Sequence, residues 1–326
     1  MSEKLLKLTL PKGSLQEDVA SFFERAGLKL KFVSKRDYRP SVGDTEIYVK
    51  LLRPQEIPNY LVGENEFDLG ISGIDWVKET KADVEILLDL EIGAVSIVLC
   101  APNNWENIFC LDDILKKFFD NKKTLRISTE YLTLSVNYLM KNETYKKLYG
   151  DIIPLVITPW KIWGKNESVK IFLSFGATEA KPPEEVDVII DNTSTGTTIK
   201  ANNLKIVETI DTSTAVLIAN KKALENEWKQ EKIKDILVLL KGVIEAKKKL
   251  HIFMNVNEEN LNKVLLELPA LKRPTISKLA GTEGWYAINT IIKKSEFLGL
   301  IPILRKYSQG LVVHEPRQIL PLEELQ

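Results

Sequence analysis

The sequence is poor in the residues that bind metals or form disulfides. Its 326 residues include two cysteines, Cys100 and Cys110, and two histidines, His251 and His314. A structural zinc site needs about four Cys or His ligands, and a disulfide framework needs several cysteine pairs. With only two residues of each type along the chain, we expect neither a closed zinc site nor a disulfide framework, and the composition favours a reducing cytoplasm.

The chain also lacks long apolar runs and an excess of charge of one sign. Its longest apolar run, residues 92–101, is half the length that a bilayer requires, and the charged start at residues 1–14 lacks the features of a signal peptide. The 45 basic and 45 acidic residues cancel. Because no net field attracts polyanions, we expect small-molecule ligands and neither a nucleic-acid nor a membrane partner.

What is present is an ordinary globular composition, with 44% hydrophobic and 28% charged residues. A chain of this length forms two or three domains. Up to about residue 222, short apolar segments alternate with amphipathic ones, which predicts α/β layers with mostly parallel strands. The predicted strands are 5–10, 46–52, 67–71, 86–89, 95–100, 125–128 and 186–191, and the clearest helices are 15–26, 112–119 and 131–140.

The pattern changes after residue 222. A long amphipathic helix with apolar residues at 233, 236, 237, 240, 243 and 244 leads into a strand–helix–strand–strand–helix–strand order. This βαββαβ order is the ferredoxin-like pattern of small regulatory modules. Its predicted elements are 250–256, 258–268, 274–279, 285–292, 296–307 and 311–315.

A hydroxyl-rich turn at residues 192–198 follows the predicted strand 186–191. Backbone N–H groups, hydroxyls and a helix start in one concavity favour a phosphate ligand, and Asp191 can accept hydrogen bonds from ribose hydroxyls. The turn lacks the lysine of a Walker motif. A capped turn without any ligand is the open alternative.

Two further loops follow predicted strands. Lys12 and Gly13 stand after the first strand, at the position that lines the ligand crevice of open α/β sheets. The stretch 67–75 has Asp68 at its edge and two glycines, Gly70 and Gly73, that allow close backbone approach. Each loop has the alternative of a purely structural turn.

Taken in order, these motifs resemble one family, the ATP phosphoribosyltransferases in their long form. The matching stretches are LPKGSL at 10–15, LRPQEIP at 52–58, DLGISG at 68–73, GATE with KPPE at 176–184, the hydroxyl-rich turn at 191–198, and LKRPT at 271–275. The resemblance spans nearly the whole chain. It implies an α/β fold, with a two-lobed periplasmic-binding-protein-like catalytic region and a C-terminal ferredoxin-like (ACT-like) regulatory domain.

The resemblance also implies domain boundaries and an activity. Lobe I would comprise residues 1–95 and 190–222, lobe II residues 96–189, and the histidine-binding regulatory domain residues 223–326. The implied reaction transfers the phosphoribosyl group of phosphoribosyl pyrophosphate (PRPP) to N1 of ATP and releases pyrophosphate, with Mg²⁺ held through the substrate phosphates. Feedback inhibition by histidine and assembly from dimer to hexamer are implied as well.

Roles carried over by the resemblance fall on individual residues. PRPP would be bound by Asp191, Thr193, Ser194, Thr195, Gly196, Thr197 and Thr198. ATP would be bound by Lys12, Gly13, Asp68, Gly70 and Gly73, with Lys12, Arg53 and Glu179 as catalytic residues. Inhibitory histidine would be bound by Asn255, Leu271, Thr275, Ile291 and Gly310. We expect a valine at Gly196 to fill the phosphate cradle.

The chain departs from the family pattern in places. Ser14 stands where many members carry Arg, residues 158–169 read as an insertion or a divergent hairpin, and the tail after Leu311 lacks the expected aliphatic ending. Two other classes of protein stay open: a ligand-binding module of the same fold without chemistry, and a regulatory paralogue that binds histidine or a nucleotide without catalysis.

Overall fold

The computed structural model describes residues 4–34, 36–63, 67–269 and 274–322. Within these ranges the chain forms two compact units. The first unit comprises Leu6–Gln16 and Val49–Glu225, and the second comprises Glu17–Tyr48 and the chain from Asn226 onward. No helix in the described part of the chain is long and apolar enough to cross a membrane.

The elements follow one another as β1 (Leu6–Pro11), α1 (Gln16–Arg25), β2 (Ile47–Leu52), α2 (Ile57–Tyr60), β3 (Leu69–Gly73), α3 (Ile74–Thr80), β4 (Glu85–Asp89), β5 (Val95–Pro102), α4 (Leu111–Asp120), β6 (Leu125–Thr129), α5 (Leu132–Lys141), α6 (Glu143–Tyr149), β7 (Pro154–Ile157), β8 (Ile162–Trp163), β9 (Asn166–Leu173), a 3₁₀ helix (Thr178–Ala180), β10 (Val188–Thr193), α7 (Thr197–Ala201), β11 (Leu204–Ser213), β12 (Ala215–Ala219), α8 (Lys221–Leu224), α9 (Glu227–Lys247), β13 (Lys249–Asn257), α10 (Glu258–Glu267), β14 (Thr275–Lys278), β15 (Trp285–Lys293), α11 (Lys294–Tyr307) and β16 (Ser308–His314).

Lobe I is built on a sheet with the strand order β2-β1-β3-β12-β4. Strand β1 forms because Leu6, Leu8 and Leu10 are buried among its neighbours, each at most 1% exposed. β1 and β3 run parallel with Leu8 opposite Leu69. Their carboxyl ends therefore lie at one edge of the sheet, which is where open α/β sheets bind ligands.

Lobe II is built on a sheet with the strand order β11-β5-β10-β6-β9-β7-β8. β6 pairs parallel with both β10 and β9, and β9 pairs parallel with β7. The apolar faces of these strands form a continuous core with α4, α5 and α6, in which Ile127, Ile171 and Val188 are fully buried. The carboxyl ends of β6, β9 and β10 consequently share one edge.

The chain crosses between the lobes twice. The first crossing lies between Asp89 at the end of β4 and Val95 at the start of β5, and the second consists of Thr214, between β11 and β12. The second crossing lies later in the chain than the predicted return near residue 190. β11, which the sequence does not predict, pairs antiparallel with β5 from Leu204 to Ser213 and so keeps residues 190–213 in the lobe II sheet.

The C-terminal part of the second unit has the strand order β14-β15-β13-β16, with every pairing antiparallel. This confirms the predicted ferredoxin-like order. Alternate residues of β13 and β15, such as Ile252, Val256 and Ile288, are buried in a core with α10 and α11. The opposite face of this sheet carries the partly exposed residues of β13 and β15.

The segment after β16 returns to the amino-terminal helix α1. The Arg317 guanidinium donates to the carbonyl oxygens of Arg25 and Glu24 at 2.7 Å each. Two residues later, the Ile319 N–H donates to Gly242 O of α9 at 2.9 Å. The segment after β16 is thus held to α1 and α9 of the second unit by hydrogen bonds. It therefore does not need the aliphatic residues that the family pattern led us to expect.

Candidate functional site

The carboxyl edge of lobe I brings together three of the predicted residues. The Lys12 N–H donates to Leu52 O at 2.7 Å, which places the ends of β1 and β2 level. Gly13 has a φ of +115°, and a Cβ built on it would lie 3.3 Å from Arg53 Nη1. A side chain at this position would be strained and would crowd the guanidinium, so glycine keeps Arg53 against the backbone.

Gly73 lies at the same edge, where β3 passes directly into α3. A Cβ on Gly73 would meet Asp75 Oδ1 at 2.0 Å. Asp75 is 4% exposed and accepts a 2.6 Å hydrogen bond from Ser213 Oγ. The glycine therefore makes room for a buried carboxylate, a role that differs from the predicted contact with ATP.

Asp68 and Gly70, two of the residues predicted to contact ATP, do not lie at this edge. Asp68 precedes β3, and its Oδ2 accepts the Lys7 N–H at 2.9 Å. At about 3.3 Å per residue, Asp68 is about 17 Å from Gly73. Gly70 is buried, and a Cβ on it would approach Ile57 Cγ2 of α2 at 2.9 Å. Asp68 links the start of β3 to the start of β1, and Gly70 leaves room for α2 to pack against β3.

In lobe II, the hydroxyl-rich turn connects β10 to α7. The Gly196 N–H donates to Thr193 Oγ1 at 2.9 Å, and the hydroxyls of Thr195 and Thr197 are 2.8 Å apart. Gly196 has a φ of +73°, and the nearest atom to an added Cβ is Ile206 Cδ1 at 3.6 Å. An added Cβ would thus make an ordinary contact with Ile206 of β11. That a valine here would fill the phosphate cradle stays a prediction.

Three carboxylates lie close together beside this turn. Ile190 of β10 pairs with Thr129 of β6, so Asp191 and Glu130 are neighbours on adjacent parallel strands. Burial and, to a smaller extent, the charges of Glu179 and Glu130 raise the pKa of the Asp191 carboxyl to about 6, against the lowering effect of hydrogen bonds from Asn192 and Thr178. Glu179 lies on the 3₁₀ helix that follows β9.

A lysine within the KPPE motif lies near the same edge. Lys181 Nζ donates to Ser174 Oγ at 2.5 Å and to Ser128 Oγ at 3.2 Å. In the described part of the chain, no carboxylate lies within ion-pair distance of this ammonium group. A charged donor held by hydroxyls is available to an anionic ligand. The sequence offered a signal for Lys181, since it stands in a motif that carried the resemblance.

Side chains from both lobes meet across the cleft. Gln55 Nε2 donates to Glu130 Oε2 at 3.3 Å. Glu79 of α3 accepts the Thr133 and Leu134 N–H groups at 2.8 and 2.9 Å, so a lobe I carboxylate caps the start of α5 in lobe II. A cavity of about 470 Å³ opens beside the hydroxyl-rich turn; its lining includes Ser194 together with Ile74, Asp89, Ala94, Val95, Ser96, Thr212, Ser213 and Thr214.

The residues predicted to bind histidine are distributed over the C-terminal sheet. A Cβ on Gly310 would lie 3.7 Å from Asn255 Nδ2, so these two residues are neighbours. Asn255 pairs with Ala287, four residues from Ile291, a separation of about 13 Å along the strand. Thr275 pairs with Asn289 on the outer strand pair. Leu271 lies outside the described residues.

Among residues 4–34, 36–63, 67–269 and 274–322, no group of three or more His, Cys, Asp or Glu side chains has the arrangement to hold a metal ion. The charges of Glu179 and Glu130 contribute to the raised pKa of Asp191, which indicates an excess of negative charge at this edge. A cation that arrives already bound to substrate phosphates fits such a site.

Together these features define a two-lobed α/β protein whose cleft is lined by cations and glycines on one side and mainly by carboxylates and hydroxyls on the other. The profile described as ATP phosphoribosyltransferase matches residues 53–242, and the one described as HisG, C-terminal domain, matches residues 246–315. The chain belongs to the ATP phosphoribosyltransferase family, the pentosyltransferases that use ATP in histidine biosynthesis.

Individual relatives agree over nearly their full length. The ATP phosphoribosyltransferase of Chlorobaculum parvum is 39% identical over 325 residues, covering 98% of this chain and 99% of the relative. That of Thermodesulfovibrio yellowstonii is 37% identical over 322 residues, covering 98% and 100%. An ATP phosphoribosyl transferase (HisG:HisZ) complex from Thermotoga maritima shares the fold, with a TM-score of 0.53 and 22% identity over 73% of this chain and 96% of that one.

Proposed function

We propose that the chain transfers the phosphoribosyl group of PRPP to N1 of ATP, with release of pyrophosphate, in the cleft between lobe I and lobe II. One observation carries the proposal: the carboxyl edges of both lobes meet, as the Gln55–Glu130 hydrogen bond shows. Cationic side chains then face one side of the cleft, and the carboxylates beside the hydroxyl-rich turn face the other.

The turn suits the donor substrate. Thr193, Ser194, Thr195, Thr197 and Thr198 offer hydroxyls within one short segment, and a phosphate oxygen accepts hydrogen bonds from such groups and from backbone N–H groups. Next to the turn, the Asp191 carboxylate can accept hydrogen bonds from the ribose hydroxyls. The phosphate and the sugar of PRPP would thus be fixed by consecutive residues, on either side of Asn192.

The lobe I edge suits the nucleotide and the pyrophosphate. Arg53 is exposed and presents a planar guanidinium beside Gly13, and such a group binds phosphate oxygens in pairs. Lys12 stands next to it at the end of β1. Gly13 completes this set, whereas Asp68 and Gly70 take no part in it, because they lie away from the edge.

In the transfer, the N1 lone pair forms a bond to C1 of the ribose while the bond from C1 to the pyrophosphate oxygen breaks, and that electron pair leaves with pyrophosphate. Lys12 and Arg53 would oppose the negative charge on the leaving group. Glu179 and Asp191 would stabilise positive charge on the ribose. Pyrophosphate leaves without being protonated, so the chemistry needs positioning and charge more than a general acid.

Mg²⁺ belongs to the proposal as part of the bound substrates. Held between substrate phosphate oxygens, it would neutralise the charge that develops on pyrophosphate. Glu130 and Glu179 would add negative charge near this ion, which the substrate phosphates would hold. Their contribution to the raised pKa of Asp191 is the observation that supports this part of the proposal.

Regulation by histidine is proposed for the C-terminal sheet, and self-association into dimers and hexamers is proposed with it. The adjacent Asn255 and Gly310 form the part of the predicted pocket that the fold brings together, with Thr275 and Ile291 on other strands of the sheet. Leu271 is included on the resemblance alone. Histidine would inhibit if it bound one arrangement of the chain more tightly than another.

An assay with ATP, PRPP and Mg²⁺, followed by the absorbance of the N1-substituted adenine nucleotide, tests the activity. We expect turnover, and we expect Arg53→Gln to lower kcat/KM about tenfold or more, because a charge-assisted bond to phosphate is lost. Arg39→Gln is the control, since Arg39 is also exposed but lies in the second unit. Histidine binding without any turnover would favour the regulatory paralogue instead.

A further inference from the structure

A buried tyrosine connects the hydroxyl-rich turn to lobe I. Tyr131 immediately precedes α5 and is fully buried. Its hydroxyl donates to Asp75 Oδ2 at 2.7 Å and accepts from Asn192 Nδ2 at 2.9 Å. Trp76 of α3 stacks on its ring with a centroid distance of 4.5 Å. One side chain of lobe II therefore bonds to the turn and, at the same time, packs against lobe I.

The partner carboxylate depends on these contacts. Asp75 is 4% exposed, and within the described residues no basic side chain lies at ion-pair distance from it. Its side-chain oxygens receive hydrogen bonds from Tyr131 of lobe II and from Ser213, next to the second crossing. A buried carboxylate that loses such a donor is strongly destabilised. Asp75 is therefore satisfied only while the lobes keep this arrangement.

The other partner stands inside the donor-binding segment. Asn192 lies between Asp191 and Thr193, at the end of β10, where it pairs with Ile97 of β5. Its backbone N–H donates to Asp191 Oδ1 at 2.7 Å, while its side-chain amide donates to Tyr131. The backbone N–H of Asn192 thus positions the Asp191 carboxylate, and its side-chain amide bonds to Tyr131.

Tyr131 keeps its proton in this position. Burial raises the pKa of its hydroxyl far above the ordinary value for tyrosine, and the Asp75 charge adds to the rise. The group is thus a permanent donor to Asp75 and an acceptor for Asn192. The direction of this short chain of hydrogen bonds is fixed from the turn to lobe I.

We infer that Tyr131 is a positioning residue for phosphoribosyl transfer, which sets the geometry of the 191–198 segment by linking Asn192 to Asp75 when the lobes are together. The inference rests on the proposed function, because it assumes that PRPP binds at this segment. Closure of the lobes and ordering of the donor site would then occur together, because the Tyr131 hydroxyl bonds both to Asp75 of lobe I and to Asn192 of the donor site.

The chain offers a matched control for the test. Tyr145 is also fully buried in lobe II, its hydroxyl donates to Ile152 O at 2.7 Å, and it accepts from Asn166 Nδ2 at 2.8 Å. Tyr131→Phe and Tyr145→Phe therefore remove the same atom from similar surroundings. Only the first substitution affects the segment that binds the donor.

Steady-state kinetics and thermal melts of both variants decide the question. We expect both to lower Tm, and we expect Tyr131→Phe alone to raise KM for PRPP about tenfold or more with a fall in kcat, while Tyr145→Phe stays within about twofold of the parent. Equal kinetic constants in the two variants would overturn the inference, because Tyr131 would then act through stability alone.

A double-mutant cycle checks that the effect passes through Asn192. Asn192→Ala removes the donor to Tyr131, and Asn192 is exposed, so this variant tests the link even if Tyr131→Phe does not fold. We expect the double variant to lie within about twofold of Tyr131→Phe in kcat/KM for PRPP. Additive losses would show that the two residues act independently and would contradict the link.

The failure of the proposed function is separable from the failure of this inference. Thr198→Val removes a hydroxyl of the turn without touching Tyr131. An unchanged KM for PRPP in Thr198→Val and in Asp191→Asn would remove the donor from this segment and the inference with it. A raised KM in those variants, with Tyr131→Phe unaffected, would leave the donor site in place and reject only the role of Tyr131.

Discussion

At the scale of single residues, the surroundings of Asp191 disfavour the charged form of its carboxyl group. Neighbouring carboxylates and burial raise its pKa to about 6, from 3.8. A raised carboxyl pKa means that protonation stabilises the folded chain: the contribution is complete below pH 3.8 and is lost as the pH rises through 6. The ionised form, which is the better acceptor for ribose hydroxyls, therefore opposes folding at neutral pH.

Asp191→Asn should separate the two effects. Between pH 7 and 8 we expect Tm to rise by about 2 °C or more, because the buried charge is gone. We expect kcat/KM for PRPP to fall about tenfold or more at the same pH, and the acid limb of the parent's pH profile, with an apparent pKa near 6, to disappear. A lowered Tm at pH 8 would contradict the electrostatic account.

Asp68 and Asp191 also show the limits of sequence at this scale. Both stand beside an apolar run. The sequence does not locate strand ends accurately enough to tell whether such a residue lies at the start or at the end of the strand. Because β1 and β3 run parallel, one step before β3 places Asp68 at the edge away from the cleft. Asp191 lies within β10, near the cleft edge.

At the scale of elements, β5 and β10 could be predicted because they are buried apolar runs. β11 could not, because its register shifts between Ile206 and Glu208 and between Thr209 and Asp211. These irregularities break the alternation of apolar and polar residues by which a half-buried strand is found in a sequence. The missed strand is the reason that the predicted return crossing was placed too early.

The junction of β10 and α7 gives the prediction for this scale. Gly196→Ala forces a left-handed conformation on alanine, at a cost of about 1 kcal/mol, while its Cβ would make only an ordinary contact with Ile206. We expect KM for PRPP to rise severalfold. Gly281→Ala is the control, with a φ of +76° and open space around it, in the turn between β14 and β15. If both variants lose a similar amount of Tm and only Gly196→Ala has a raised KM for PRPP, the result supports a donor site at the 191–198 segment. An unchanged KM in both variants would argue against that site.

At the scale of the whole chain, the βαββαβ order and the two-lobed fold could be predicted from hydrophobic periodicity and motif order. The composition of the cleft could not, because Gln55 of lobe I meets Glu130 of lobe II only through the packing of two separate sheets. The histidine pocket was predicted by resemblance, and the fold brings Asn255 to Gly310. Both histidines of the chain, His251 and His314, pair across β13 and β16.

Titration with histidine tests the proposed regulation. We expect the initial rate to fall with millimolar histidine, and we expect Asn255→Ala to raise the half-inhibitory concentration about tenfold or more, since a buried polar contact to the ligand is lost. Asn260→Ala on α10 is the control, because α10 covers the other face of the sheet. Flat rates in the parent chain would exclude feedback inhibition.

The second crossing has one more consequence. A tether of a single residue, Thr214, whose hydroxyl is held by Asp89 Oδ2 at 2.9 Å, leaves the lobes almost no freedom to slide apart. We therefore expect the cleft to open by a hinge rotation about an axis through Thr214 and residues 90–94. Rotation about so short a hinge moves the far rim of the cleft most and the neighbourhood of Ser213 least, so the substrates would enter and leave at the rim while the buried floor stays assembled.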